Sequence, residues 1–306
     1  MLTQAIIKKI RHLKKQRNAV ILAHNYQIGE VQDIADFTGD SLGLSIQAST
    51  TGAETIVFCG VQFMAETAKI LSPQKTVLLP EKTAGCPMAD MIDAGSLGEL
   101  KKRRPDALVV CYVNTTAQVK ALSDYCCTSS NALQIVESLP AGREIIFVPD
   151  RNLGEYIVER TGRQMILWPG YCLTHARITQ ADVADAKKKH SGAIVIAHPE
   201  CRKEVRDCAD ELLSTGGMLR FAAQSSHRSF IVVTEIGIIH TLKKQNPQKQ
   251  FFPIADSAIC GNMKKINLEK VLWSLEDMQY EILVAEDVRK RARAALDRML
   301  EVLPTG

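Results

Sequence analysis

The sequence predicts an α/β protein made of three similar αβα-sandwich domains with short parallel sheets, related by pseudo-threefold symmetry. Three observations lead there. Short apolar, β-rich runs bounded by turn residues begin near Ala19, Thr55, Thr76, Ala107, Glu144, Met165, Ala193, Ser229 and Phe251. The steps between these starts are 36, 21, 31, 37, 21, 28, 36 and 22 residues, so a step near 36 followed by one near 21 occurs three times, with a period near 87. The intervening segments carry helical spacing, as in Ala65, Ala68, Ile70 and Leu71, or Ala132, Leu133, Ile135, Val136 and Leu139. Strand and helix alternating in this way build parallel sheets through crossover helices. A fixed period means that one unit is used repeatedly.

Ahead of the first unit, an amphipathic helix is expected over about 3–17, and helices near 268–278 and 287–300 follow the last. The expected division is 1–84 together with 261–306, then 85–171, then 172–260, with the C-terminal tail returning to the first domain. Apolar residues make up 46% and charged residues 24% of the 306, which is ordinary for a folded protein and excludes a disordered chain. The net charge of +4 is spread over short clusters such as Lys101–Arg104 and Lys187–Lys189. Both fall late in helical segments, where basic groups complement the dipole. No aromatic residues interleave with them, so no nucleic-acid partner is expected.

No apolar run approaches the ~20 residues of a membrane span, and no secretory apolar region is visible near the start. Nine cysteines are an odd number in a chain of this kind. They point to thiolate chemistry in a reducing cytoplasm rather than to a disulfide framework. No Gly-x-Gly-x-x-Gly or Gly-x4-Gly-Lys-Ser/Thr occurs, so neither a dinucleotide fold nor a P-loop is supported.

The repeat turns cysteine spacing into geometry. Cys86, Cys172 and Cys260 stand 86 and 88 residues apart, each after the third predicted strand of its unit. Three equivalent positions around a threefold axis lie equally far from it, so the three thiols can meet there. The segments His24-Asn25-Tyr26, Tyr112-Val113-Asn114 and His198-Pro199-Glu200 share the spacing, each just past a first strand, and so do Ser41, Ser129 and Thr215 at expected helix starts. Strand carboxyl ends and helix N-termini are where open parallel sheets bind anionic ligands. A hydroxyl before a helix is also an ordinary N-cap, but three position classes in register point to one shared site. Cys59 and Cys111 lie inside apolar strands as small buried hydrophobes, and Cys126, Cys127, Cys201 and Cys208 do not follow the period.

Three thiolates could hold zinc with His175 as a fourth ligand, as in a zinc-dependent lyase or hydrolase. Structural zinc sites usually gather Cys-x2-Cys pairs, and none occurs here. The alternative is a [4Fe-4S] cluster with three cysteine ligands and one open iron, which acts as a Lewis acid on substrate oxygens.

The segments Ala23–Gln27, Gly60–Lys69, Ala84–Ala89, Cys111–Asn114, Cys127–Ala132, His198–Cys201 and Cys260–Lys264 closely resemble quinolinate synthase, and the resemblance spans the chain. It implies three α/β domains around a central iron-sulfur site. It also implies condensation of iminoaspartate with dihydroxyacetone phosphate to quinolinate, phosphate and two waters in de novo NAD biosynthesis, with functional coupling to an aspartate-oxidising enzyme. By resemblance, Cys86, Cys172 and Cys260 are the cluster ligands. His24, Ser41, Tyr112, Val113, Asn114, Ser129, His198, Pro199, Glu200 and Thr215 bind substrate. Glu200, Tyr26, His24 and His175 are the expected acid–base residues. Some longer relatives have a Cys-x-x-Cys-x-x-Cys run at the third ligand; here Met263 follows Cys260, so no local disulfide switch is expected.

Overall fold

In the computed structural model, which describes residues 2–302, three four-stranded parallel sheets share one topology. The first contains β1 (Ala19–His24), β2 (Phe37–Gly39), β3 (Thr55–Cys59) and β4 (Thr76–Leu78). The second contains β5 (Leu108–Tyr112), β6 (Tyr125–Cys127), β7 (Ile145–Val148) and β8 (Ile166–Leu167). The third contains β9 (Ile194–Ala197), β10 (Glu211–Leu212), β11 (Ser229–Val233) and β12 (Gln250–Pro253). Their orders are β2-β1-β3-β4, β6-β5-β7-β8 and β10-β9-β11-β12. The nine predicted strands all form, each starting within one residue of its expected place.

The sequence reading missed β2, β6 and β10. They are edge strands of two or three residues, β2 and β10 partly exposed and β6 covered by the C-terminal helix, each too short to show an apolar pattern. A repeated device holds them. The backbone N–H groups of Asp36, Asp124 and Asp210 donate to the carbonyls of Ile21, Val109 and Val195 at 2.9 Å. The three carboxylates in turn accept the N–H groups of those residues at 2.7–2.8 Å. Each aspartate thus completes a pairing that the short strand cannot.

Alternation along the strands makes each sheet two-faced. In the third unit Val195, Ala197, Ile231 and Val233 pack with the helix Gln180–Lys189, while Ile196, Phe230 and Val232 pack with Thr215–Gln224 and Ile238–Gln245. Both faces are buried, which requires apolar side chains on each and explains the near-continuous hydrophobic strands. The basic clusters fall in the last turns of Ala94–Arg103 and Gln180–Lys189, as expected.

The tail departs from expectation. Leu268–Asp277 packs on the N-terminal helix Leu2–Gln16, but Glu286–Glu301 lies mainly against β6 and the helix Ala117–Lys120 of the second unit, touching Gln62–Leu71 of the first as well. Its buried stripe of Ala292, Ala295, Leu296 and Met299 fills that crevice. Asn131 Nδ2 donates to the carbonyls of Met299 (3.0 Å) and Val302 (2.8 Å), and Arg293 donates to that of Leu71. The tail therefore joins two units. Among the described residues, no helix is long and apolar enough to cross a membrane.

Candidate active site

In each sheet the strand order reverses beside the first strand of the unit, and the crevice beyond the carboxyl ends at such a point is where ligands bind. Here the three crevices open into one cavity of about 240 Å3. His24, Tyr26, Ser41, Cys86, Tyr112, Asn114, Ser129, Cys172, His175, His198, Glu200, Thr215 and Cys260 all line it. Val113 and Pro199 do not. Successive residues of an extended chain face opposite ways, so Tyr112 and Asn114 reach the cavity while Val113 turns into the core, its carbonyl accepting from Lys120 Nζ at 2.7 Å. Pro199 is buried between His198 and Glu200 in the same manner.

The helix starts settle whether the hydroxyls are caps. Asp40 accepts the N–H of Gly43 at 2.8 Å, and Ser214 that of Gly217 at 3.0 Å, so the caps are one residue ahead of Ser41 and Thr215. In the second unit Ser129 is not at the helix start that the sequence suggests: the helix is Ala132–Ser138 with Asn131 at its N-cap and no side-chain cap bond, and Thr128 Oγ1 accepts the N–H of Ser130 at 3.2 Å in the turn before it. The hydroxyls of Ser41, Ser129 and Thr215 are thereby released to the cavity they line.

A chain of hydrogen bonds and one close ring–carboxylate contact crosses the cavity wall. Tyr112 O–H donates to Glu200 Oε1 at 2.5 Å, Glu200 Oε2 lies 2.7 Å from His175 Nδ1, His175 Nε2 lies 2.8 Å from Thr234 Oγ1, and Thr234 Oγ1 lies 2.6 Å from Tyr26 Oη. A carboxylate beside Nδ1 selects the tautomer protonated there. Nε2 then accepts from the Thr234 hydroxyl, which in turn accepts from Tyr26 O–H. The proton of Tyr26 is thus linked to Glu200. Burial and the charge of Glu200 raise the phenols of Tyr26 and Tyr112 well above 10, keeping both as donors. Burial would also raise Glu200, but the His175 ring, His198 and the Tyr112 hydrogen bond outweigh it and hold the carboxyl below its usual range.

The two other histidines are neutral. Burial pulls His24 down to about 4 and His198 to about 3, against the nearby carboxylates. Nδ1 of each accepts the N–H two residues on, from Tyr26 at 3.1 Å and Glu200 at 3.3 Å, so Nε2 carries the proton. His198 Nε2 donates to Ser129 Oγ at 3.1 Å, leaving the Ser129 hydroxyl free to donate in turn. The buried Oδ1 of Asn114, which lines the cavity, has no protein partner among the described residues.

These shifts fix a pH dependence. An unfolded histidine titrates near 6.5, so below that pH the unfolded chain takes up protons that folded His24 and His198 refuse. Stability present above pH 6.5 is lost as the pH falls toward 4 and 3. Each ring removes up to about 1.4 kcal/mol per pH unit in that window. The melting temperature of metal-free protein should fall steadily from pH 7 to 5, and H198Q should flatten the slope. A profile equally steep in H198Q would contradict this.

The cysteine positions repeat in detail. A short helical turn follows each one, at Ala89–Met91, Leu173–Ala176 and Met263–Lys265. Backbone N–H groups three residues on, those of Ala89, His175 and Met263, hydrogen-bond to the sulfurs of Cys86, Cys172 and Cys260. Burial nevertheless pushes all three thiols up, Cys86 to about 12, and mutual repulsion adds to it between Cys86 and Cys260 and between Cys172 and Cys86. Three partly buried sulfurs within electrostatic reach, each with N–H donors, fit an iron-sulfur cluster, whose properties depend on such hydrogen bonds. They fit the zinc arrangement poorly, because His175 Nε2 is bonded to Thr234 and Nδ1 lies 2.7 Å from the Glu200 carboxylate, which a zinc ligand would have to leave. Among the described residues, Cys172, His175 and Glu200 also bring three possible ligand atoms within 4.8 Å of one another.

Thr234 and Glu235 were not singled out from the sequence. Glu235 lines the cavity; it accepts the N–H of Cys260 at 3.1 Å and that of Gly237 at 2.7 Å, and lies 2.8 Å from Lys264 Nζ. Their one sequence signal is two polar residues directly after the apolar strand β11. At the place equivalent to Thr234 the other units have Gly60 and Pro149, so the threefold period does not mark it.

Three in-register thiols and a buried acid–base chain around one cavity define an α/β enzyme acting on small polar substrates at the junction of three units. A family model described as quinolinate synthetase A protein matches residues 8–301, so the chain belongs to that family. It is 55% identical over 303 residues to a quinolinate synthase of Dehalococcoides mccartyi, covering 99% of this chain and 100% of the relative. It is 54% identical to a quinolinate synthase of Thermodesulfovibrio yellowstonii, covering 97% of this chain and 98% of the relative. It is also 54% identical to quinolinate synthase 1 of Methanosarcina acetivorans, covering 97% of each.

Proposed function

We propose that this chain is a quinolinate-forming enzyme of de novo NAD biosynthesis. It condenses iminoaspartate with dihydroxyacetone phosphate, releasing phosphate and two waters, at a [4Fe-4S] cluster held by Cys86, Cys172 and Cys260 with one iron open. The observation that carries this reading is the threefold set of partly buried thiols, each with its backbone N–H donor, lining one cavity. Full-length similarity to quinolinate synthases supports it. The cluster would supply a Lewis acid for substrate oxygens.

The remaining steps belong to the protein. Ser41, Ser129 and Thr215 bind carboxylate or phosphate oxygens, with the free Nε2–H of His24 and the amide of Asn114 orienting the substrate. Tyr112 and Tyr26 donate protons to departing oxygens, and the protons removed from substrate carbons in the same eliminations restore them by way of Glu200 and the His175–Thr234 relay. Closing a ring by dehydration demands that protons move without bulk water entering; the burial of Glu200, His175 and Thr234 meets that demand. The net reaction is redox-neutral, which suits a Lewis acid. An aspartate-oxidising activity must supply the iminoaspartate, and the cytoplasm is the compartment that keeps nine free thiols reduced. The same reading divides the chain into 1–84 with 261–306, 85–171 and 172–260, with Glu286–Glu301 reaching across from the first unit to the second.

A zinc lyase or hydrolase is the weaker reading, since His175 would have to abandon Glu200 or Thr234 to become a ligand. Production of quinolinate by the cluster-loaded protein tests the proposal.

A further inference from the structure

We propose that Ser130 is a positioning residue, the centre of a clasp through which Asp40, Ser130 and Ser214 fix the spacing of the three substrate-binding hydroxyls. Ser130 Oγ lies 2.6 Å from Asp40 Oδ2 and 2.8 Å from Ser214 Oγ. The three residues come from three different units, 90 and 84 residues apart. The proton count fixes the direction. Asp40 as a carboxylate only accepts, so Ser130 donates to it and accepts from the Ser214 hydroxyl. Asp40 Oδ1 and Ser214 Oγ also accept the first-turn N–H groups of Gly43 and Gly217. The clasp is therefore anchored at both ends in helix N-termini, where a carboxylate is further stabilised by the dipole.

Each clasp residue is the immediate neighbour of a hydroxyl assigned to substrate: Asp40 precedes Ser41, Ser130 follows Ser129, and Ser214 precedes Thr215. A residue's backbone cannot move without its neighbour, so distances within the clasp set distances among the three hydroxyls. Gly216 shows how closely the units are drawn together. A Cβ there would stand 2.6 Å from Asp40 Oδ2, so any other residue would push the first unit's carboxylate off its position in the clasp. Preorganising the binding groups before substrate arrives lowers the cost of ordering them.

This inference rests on the proposed binding role of Ser41, Ser129 and Thr215, so its test compares two variants. With cluster-loaded protein, S130A is expected to weaken quinolinate binding about tenfold by calorimetry, from loss of two hydrogen bonds that order the site. The KM values should rise with kcat changed far less, and S130T, which keeps the hydroxyl, should stay within about threefold of the parent. S129A removes a proposed binding group itself and should weaken quinolinate binding as well. If S129A weakens binding and S130A does not, the clasp proposal is overturned while the binding reading stands. If S129A also binds like the parent, the binding reading falls and takes the clasp with it. A contact that only supported the fold would lower the melting temperature of S130A and leave its quinolinate affinity unchanged. Should S130A not fold, S214A tests the same link from the third unit, and parent-like affinity in it would equally overturn the clasp.

Discussion

Cys86→Ser, Cys172→Ser and Cys260→Ser are each expected to lose the iron-sulfur cluster and all quinolinate formation, the largest effects in the molecule. The three sulfurs line one cavity from the segments that follow the three sheets, and no further cysteine lines it among the described residues. A lost ligand therefore has no substitute. Serine keeps the shape, but its oxygen is a poor partner for iron that favours thiolate. Cys126→Ser, Cys127→Ser and Cys208→Ser should keep both cluster and activity. Cys126 and Cys127 are fully buried in β6 under the C-terminal helix, and Cys208 Sγ donates to the Glu204 carbonyl outside the cavity. Iron and sulfide analysis of anaerobically purified variants separates the two sets. Parent-like iron in any of the first three would remove that cysteine from the ligand set, and colourless parent protein containing zinc would favour the zinc reading.

Glu200→Gln should lower turnover by about 10²–10⁴-fold while leaving the cluster in place. The carboxylate accepts from Tyr112 and faces His175 Nδ1, with 3% of its surface exposed. Because its pKa is held low, it is a weak base at rest; its strength lies in fixing the His175 tautomer and keeping a negative charge beside two proton donors. The amide of glutamine can present an N–H to Nδ1, which would favour the opposite tautomer and reverse the chain through Thr234 to Tyr26. A comparable loss follows when a carboxylate behind a catalytic histidine becomes an amide. Substrate should still perturb the cluster spectrum, because no ligand is touched. Turnover above about a tenth of the parent rate would transfer the proton-moving role to His24 or Tyr26.

Much of this site was legible in the sequence because the repeat does geometric work. A period near 87 places Cys86, Cys172 and Cys260 equivalently, and the structure has all three in one cavity with the same N–H donor pattern. The strand-end tripeptides were found for the same reason, although the middle residue of each turns away through the pleat, as Val113 does. What escaped detection lacked either periodic pattern or length. The edge strands β2, β6 and β10 are too short to show alternation, and their pairing depends on the carboxylates of Asp36, Asp124 and Asp210. Thr234 has no hydroxyl counterpart in the other units. The path of Glu286–Glu301 across two units depends on which crevice its apolar stripe fits, a matter of tertiary packing that helical periodicity does not contain.

The central claim is that three units converge to make quinolinate at a three-cysteine cluster. It is tested most directly by incubating the anaerobically reconstituted protein with dihydroxyacetone phosphate and iminoaspartate generated in place, and measuring quinolinate and phosphate together. The account predicts both products in equal amounts over many turnovers, with neither formed by the Cys172→Ser protein. Phosphate without quinolinate, or no product from fully cluster-loaded protein, would contradict it.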